Sequence, residues 1–277
     1  MEDSVTVNSL AVLVGGKLTR NKKKKDMIAE EDFCNVDLSN YAMKHIWSYK
    51  TIVSLNNIET NRIVQYNPKN MEELGKYFFV TGMQRMFYGC NNLKSIPVLK
   101  YDMSQVTDLS WMFGYCKSLE SLDLSGFTTE KVKDMSGMFA FCKSLKEIIF
   151  YKKNFKTNNV TSMNSMFRST GLEGYLDLDW FDTSKVTDME SMFAYSNNIT
   201  SLNIKSWNTA NVTDFTDAFK FCTSLKEIDG VIDMRSCKKY KDMFLGCNKL
   251  RHLKIRNAPK YFTNRCGLMI NHIEFVD

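Results

Sequence analysis

Only 3 prolines and 13 glycines occur in 277 residues, too few chain breakers for a long disordered linker. Histidine is as scarce. His45, His252 and His272 stand far apart in sequence, and no CxxC pair accompanies them, so neither a zinc site nor a catalytic triad has the spacing it needs. Gly15-Gly16 follows an apolar run, but no GxGxxG or GKS/T is present to cradle a phosphate. No apolar run approaches the ~20 residues of a membrane-spanning helix. The first one, Leu10 to Val14, follows Glu2 and Asp3 instead of a basic residue and fails as a secretion signal. Charge of one sign is also lacking. The 37 basic and 31 acidic residues are interspersed and leave a net charge of +6, which asks for neither nucleic acid nor an anionic membrane. No catalytic residue, metal ligand or cofactor site is therefore assigned.

What is abundant is repetition. Taking the Phe of each Met-Phe pair as a marker, and its equivalent where Met is replaced, copies fall at Phe87, Phe113, Phe139, Phe167, Phe193, Phe219 and Phe244. The steps are 26, 26, 28, 26, 26 and 25 residues. A unit of that length cannot bury its own apolar face, so successive copies must stack and share one core. With 44% hydrophobic residues the chain can build it.

The columns of that stack are legible from the marker. Seven residues before it stand Val80, Val106, Val132, Val160, Val186, Val212 and Cys237. Four before it come Met83, Leu109, Met135, Met163, Met189, Phe215 and Tyr240; three after it, Cys90, Cys116, Cys142, Thr170, Ser196, Cys222 and Cys247. These offsets share one side of a short helix at roughly 100° per residue. Thr107, Thr161, Thr187 and Thr213 fit as its N-caps, with Glu190 completing a capping box. Downstream, Leu122 and Leu124, Leu176 and Leu178, and Leu202 and Ile204 alternate with polar residues, the pattern of half-buried strands in parallel register. Twelve residues before the marker, Tyr101, Phe127, Phe155, Phe181 and Trp207 form an internal aromatic column. A position taking Cys, Thr or Ser reads as a small buried site with reduced thiols, bonds between neighbouring coils being the alternative.

The consensus VTDMxxMFxxCxSLxxLDLSxFxT resembles the repeat of BspA-like leucine-rich-repeat surface proteins, also described as a lipoprotein-associated domain of unknown function in bacteria and their viruses. Seven consecutive copies over about Val80 to Asn257 carry the likeness. It implies a leucine-rich-repeat type solenoid used for binding and often adhesion, with no catalytic residues. The fold expected is an α/β solenoid: a right-handed stack of seven coils of ~26 residues, a parallel β-sheet on one face and short helices on the other.

Around it we expect an N-terminal arm (1–32), an N-terminal cap (33–79), the solenoid (80–257) and a C-terminal cap (258–277). Lys22, Lys23, Lys24 and Lys25 form either an anion-contacting arm or a solvated loop balanced by the acids that follow. The Asp column Asp108, Asp134, Asp188 and Asp214 reads as acids answering a helix dipole, a calcium ladder being the alternative.

Two surfaces are open to a partner. The outward strand positions, among them Ser121, Asp123, Tyr175, Asp177, Ser201, Asn203, Glu227 and Asp229, vary in type while the columns around them do not. The second surface is an aromatic flank of Tyr115, Phe141, Tyr195 and Phe221, which fits either lateral packing or contact with protein or glycan. Trp111 and Trp180 are either anchors or covered by neighbours. The function expected is a non-enzymatic interaction or adhesion component binding a protein or surface glycan. Without a secretion signal it would be displayed on a larger particle such as a phage virion, or be cytoplasmic. The different reading is a structural assembly subunit whose repeat surfaces are buried against neighbours.

Overall fold

A computed structural model describes residues 83–96, 103, 106–268 and 272–277. The arm with Lys22 to Lys25, the N-terminal cap, His45, Val80 and Tyr101 lie outside these residues.

Strands form where the sequence alternates at period two. They are β1 (Ser121–Asp123), β2 (Glu147–Ile149), β3 (Gly174–Asp177), β4 (Ile199–Asn203), β5 (Glu227–Asp233), β6 (His252–Arg256) and β7 (Glu274–Val276). Every pairing is parallel and between sequence neighbours, β1 with β2 and then β3 through β7 in order. The molecule is a parallel β-solenoid, and its long sheet counts five strands. Leu122, Leu202, Ile228, Leu253 and Ile255 point into a continuous buried core.

The helical face is not there. Among the described residues the single α-helix is α1, Phe262–Arg265, in the C-terminal segment. The Met-Phe stretch is instead a run of turns. Met112, Gly114 and Cys116 donate N–H to Leu109, Trp111 and Phe113 of their own coil, at 3.1, 2.9 and 3.1 Å. The alternate residues Leu109, Trp111, Phe113 and Tyr115 donate to Asp134, Ser136, Met138 and Ala140 of the next coil, at 2.7 to 3.0 Å. What interrupts the helix is a left-handed residue two before and two after each marker, such as Trp111 and Tyr115 (φ 57° and 63°) or Ser191 and Tyr195 (φ 57° and 64°). The physical reason is pitch. A helix with side chains is about 10 Å across, while parallel strands repeat at about 4.8 Å, so helices cannot keep step with a straight sheet. Stacked turns can, and the marker rings from Phe87 to Phe244 lie 5.2 to 6.1 Å apart, centroid to centroid.

Without helices the polar columns change jobs. Asp108, Asp134, Asp188 and Asp214 each accept the N–H two residues on, at 2.7 to 2.9 Å, fixing the turn rather than answering a dipole. Among the described residues, no three or more His, Cys, Asp or Glu side chains are grouped as a metal site would need. Thr161, Thr187 and Thr213 cap no helix; their hydroxyls reach back to the carbonyls of Lys133, Thr161 and Thr187. The Cys column is small and buried, as its composition implies, and for a further reason. The Sγ of Cys116, Cys142, Cys222 and Cys247 donates to the marker carbonyls Phe87, Phe113, Phe193 and Phe219 of the preceding coil, at 2.9 to 3.0 Å. Ser196 donates in the same way to Phe167. No disulfide is formed among the described cysteines.

These thiols have chemistry to predict. The neighbouring Cys142 thiol and burial push Cys116 far above its ordinary 9.0, burial and Cys247 do the same to Cys222, and burial pushes the half-buried Cys237 up to about 11. Iodoacetamide at pH 8 is expected to leave peptides with Cys116 and Cys222 unmodified in the folded protein and to label them fully in urea. Equal labelling in both would refute the buried column. The unfolded chain ionises these thiols before the folded one does. Through Cys116 and Cys222 stability is thus undiminished below pH 9 and falls above it, by at most about 1.4 kcal/mol per pH unit per thiol, with solvent screening making the effect of Cys237 smaller.

The stack is irregular in two places. Between β2 and β3 the longer step makes a turn at Tyr151 to Asn154, and Gly171 comes so close to the preceding coil that a Cβ would lie 2.4 Å from the carbonyl oxygen of Lys143. The sheet divides there. In β5, Glu227 pairs with His252 but Val231 with Lys254, so two extra residues bulge outward. Gly230 (φ 151°) is required at the bulge, because a Cβ would meet the Ile204 backbone at 2.8 Å.

Candidate functional site

Parallel register aligns the outward residues into rows. Tyr175, Ser201 and Glu227 are successive partners, as are Asp177, Asn203 and Asp229, while Ser121 and Asp123 lie opposite Glu147 and Ile149. The strand residues singled out by sequence thus share one face. Polar contacts tie it together: Asn203 Nδ2 donates to Asp177 Oδ1 at 3.0 Å, Lys152 Nζ lies 3.4 Å from Asp177, and Lys205 Nζ lies 2.7 Å from Asp229. The Asp229 carboxylate raises the Lys205 ammonium above its ordinary value. These pairs are exposed and fix side-chain position more than they stabilise.

Where the two sheets meet, the face turns apolar. Tyr175 is 61% exposed, with Ile149 (46%) and Tyr151 (48%) also open to solvent. Lys146 to Glu173 and Lys152 to Asp177, each at 3.4 Å, bridge the strand ends across the divide. The sequence places Ile149 in the row of outward strand positions and Tyr151 in the longer step, but Ile149 breaks the polar rule of that row. That departure was the available signal.

The aromatic flank is a column, but its faces are turned on one another. Tyr115 stacks on Phe141 at 4.4 Å and Tyr195 on Phe221 at 5.3 Å. The guanidinium of Arg168 fills the gap between them, 5.5 Å from the Phe141 ring and 5.6 Å from the Tyr195 ring. Trp111 is half-buried, stacked on Tyr115 at 6.2 Å and lying over Gly137, where a Cβ would come within 2.5 Å of its ring. Gly246 likewise receives Phe221. Trp180 packs edge-on against Phe150, Phe155 and Phe181 in the irregular coil. Ring faces engaged in this way leave edges for solvent, an arrangement that favours lateral packing over a platform for sugar rings. Gly137→Ala is expected to cost about 2 kcal/mol, about half from a Cβ at φ 60° and the rest from the clash with Trp111. A double-mutant cycle with Trp111→Ala, followed by urea unfolding, should recover the clash alone. Additive losses would remove the contact from the account.

The β5 bulge builds a cleft of about 540 Å³ against β6 and the segment before β7. Glu227, Asp229 and Lys205 line it, joined by His252, Lys254, His272 and Glu274. Lys254 and Glu274 are strand partners, their charged groups 3.6 Å apart, and two residues before them stand His252 and His272. Two histidines that share no sequence spacing are thus brought together by register. The Nδ1 of His272 is buried without a hydrogen-bond partner.

Fold and face together define a repeat protein of parallel β-solenoid build. The chain belongs to the family described as "Mycoplasma protein of unknown function, DUF285", which matches residues 59–171 and 150–257. No curated protein matches it significantly. Among solved structures, a leucine-rich repeat protein from Bacteroides ovatus ATCC 8483 is similar over 72% of this chain and 76% of its own, at 14% identity and a TM-score of 0.32. The TLR13–ssRNA13 complex is similar over 87% of this chain but 32% of that one, at 16% identity and a TM-score of 0.29. The fold assignment rests on the hydrogen bonds above and not on these likenesses. No helix among the described residues is long and apolar enough to cross a membrane.

Proposed function

We propose that the chain is a non-enzymatic binding solenoid whose outward strand face contacts a protein partner, in the manner of the BspA-like surface proteins its repeat resembles. The observation that carries this reading is the apolar patch at the sheet divide, Ile149, Tyr151 and Tyr175, on a face otherwise rimmed with paired charges. Exposed aromatic and aliphatic side chains ringed by polar groups are the usual centre of a protein interface. Ser121, Asp123, Asp177, Ser201, Asn203, Glu227 and Asp229 would form the specificity-setting rim. The aromatic flank, with Trp111 and Trp180, serves packing in this reading.

A photo-crosslinking residue at Tyr175 is expected to give discrete adducts in cells that make the protein. One at Lys143, exposed on the turn side, should give none. Equal adducts from both positions, or none from either, would overturn the strand-face reading. Carriage on a particle such as a virion belongs to the same proposal, and co-sedimentation with particles tests it. The structural-subunit alternative predicts adducts to identical chains from both faces.

A further inference from the structure

We infer that the cleft beside the β5 bulge is a pocket for a guanidinium side chain, the anchor of an arginine-bearing protein partner. This inference rests on the binding reading above and names the chemistry of its contact. Three cations and three carboxylates line the cleft: Asp229 is taken by Lys205 at 2.7 Å, Glu274 by Lys254 at 3.6 Å, and the guanidinium of Arg251 donates instead to the carbonyls of Asn248 and Leu250, each at 2.9 Å. Glu227 forms no ion pair within the described residues, although it lies in the sheet directly opposite His252. His252 makes no side-chain hydrogen bond there either, and His272 presents a buried Nδ1 with no partner. Three polar side chains with no protein partner among the described residues therefore line one concavity, Glu227 and His252 exposed and His272 half-buried, and the bulge that forms it leaves two residues of β5 without partners on β6.

An unpaired carboxylate accepts hydrogen bonds and offers none, so the complementary group is a donor carrying positive charge. Guanidinium satisfies a carboxylate through two parallel N–H bonds and has further N–H groups left for an imidazole acceptor such as His272 Nδ1. A neutral sugar could supply hydroxyl donors, but the cleft lining includes no Phe, Tyr or Trp ring for it to stack upon. Its volume of about 540 Å³ lies within the range of small-ligand sites.

The probe is N-acetyl-arginine amide, titrated into the full chain while the ring proton signals of His252 and His272 are followed by NMR, assigned through His→Gln variants. Saturable shifts of both signals are expected, with the isosteric, uncharged citrulline analogue at least about tenfold weaker, the loss of one charge-assisted bond. Glu227→Gln should abolish the difference between the two while thermal unfolding stays unchanged. Equal binding of arginine and citrulline probes would overturn the inference. So would no shift with either, or saturable shifts with N-acetylglucosamine or galactose instead, which would make the cleft a sugar site. Because Tyr175 crosslinking reads the sheet divide and not this cleft, failure here and failure of the binding reading are separable.

Discussion

Phe139→Ala is expected to destabilise the protein by about 3 to 5 kcal/mol, the range for deleting a fully buried ring. Phe139 sits in the middle of the marker ladder, 6.1 Å from the Phe113 ring and 5.5 Å from Phe167, and touches Phe150 edge-on. Its removal opens a cavity between three coils that the turn column cannot collapse to fill. The backbone there is held by hydrogen bonds on both sides, Phe139 N–H to Met166 and Phe113 N–H to Met138. In a linear stack each coil is supported only by its neighbours, so the loss should also split the unfolding transition in two. Urea unfolding followed by circular dichroism measures both. The control is Phe221→Ala, whose ring is 38% exposed and stacks mainly on Tyr195, with a cost of about 1 kcal/mol. Equal costs at the two sites would refute the division between interior ladder and lateral flank.

A comparable loss is expected from Thr209→Val, a change that alters shape very little. Thr209 is buried; its Oγ1 donates to the carbonyl of Asp233 at 3.0 Å and accepts the N–H of the same residue at 2.7 Å. Valine keeps the volume and strips both bonds, leaving a buried carbonyl and a buried N–H short of partners at about 1 to 3 kcal/mol each. Thr129 and Thr183 grip the next coil in the same two-handed way, through Lys156 and Asn208. Thr209→Ser retains the hydroxyl and should recover most of the loss. If valine is tolerated as well as serine in thermal unfolding, the threonine column contributes packing alone.

This threonine column shows what a sequence can hide in plain view. Thr129, Thr157, Thr183 and Thr209 recur two residues after the aromatic column with the regularity of the marker itself, yet a polar residue at fixed phase reads as surface until its partner on the next coil is known. The left-handed turns were hidden for a different reason. Gly89, Gly137 and Gly246 stand in the two positive-φ columns, but most members there are Trp, Tyr, Phe, Ser or Asp, residues that do not announce such a conformation. Offsets of 3, 4 and 7 residues also fit a helix as well as a train of turns, since both return to the same side every three to four residues. Cys, Thr and Ser in one column were legible as small and buried; that they donate to the marker carbonyls of the preceding coil was not.

The amino-acid sequence alone determined that like residues must lie above one another in a shared dry interior, because a unit so short has no other way to hide its Met, Phe and Leu side chains. It determined the strands and their parallel order too, since period two allows one burial pattern and the repeat length one direction. Tertiary structure decided what stands opposite the sheet, through the demand that both sides of each coil advance by the same few ångströms. It also decided where partners are met. The apolar patch arises from a divided sheet, and the cleft from a two-residue bulge that sets Glu227, His252 and His272 side by side. Such neighbours depend on register between distant strands, which local sequence does not encode.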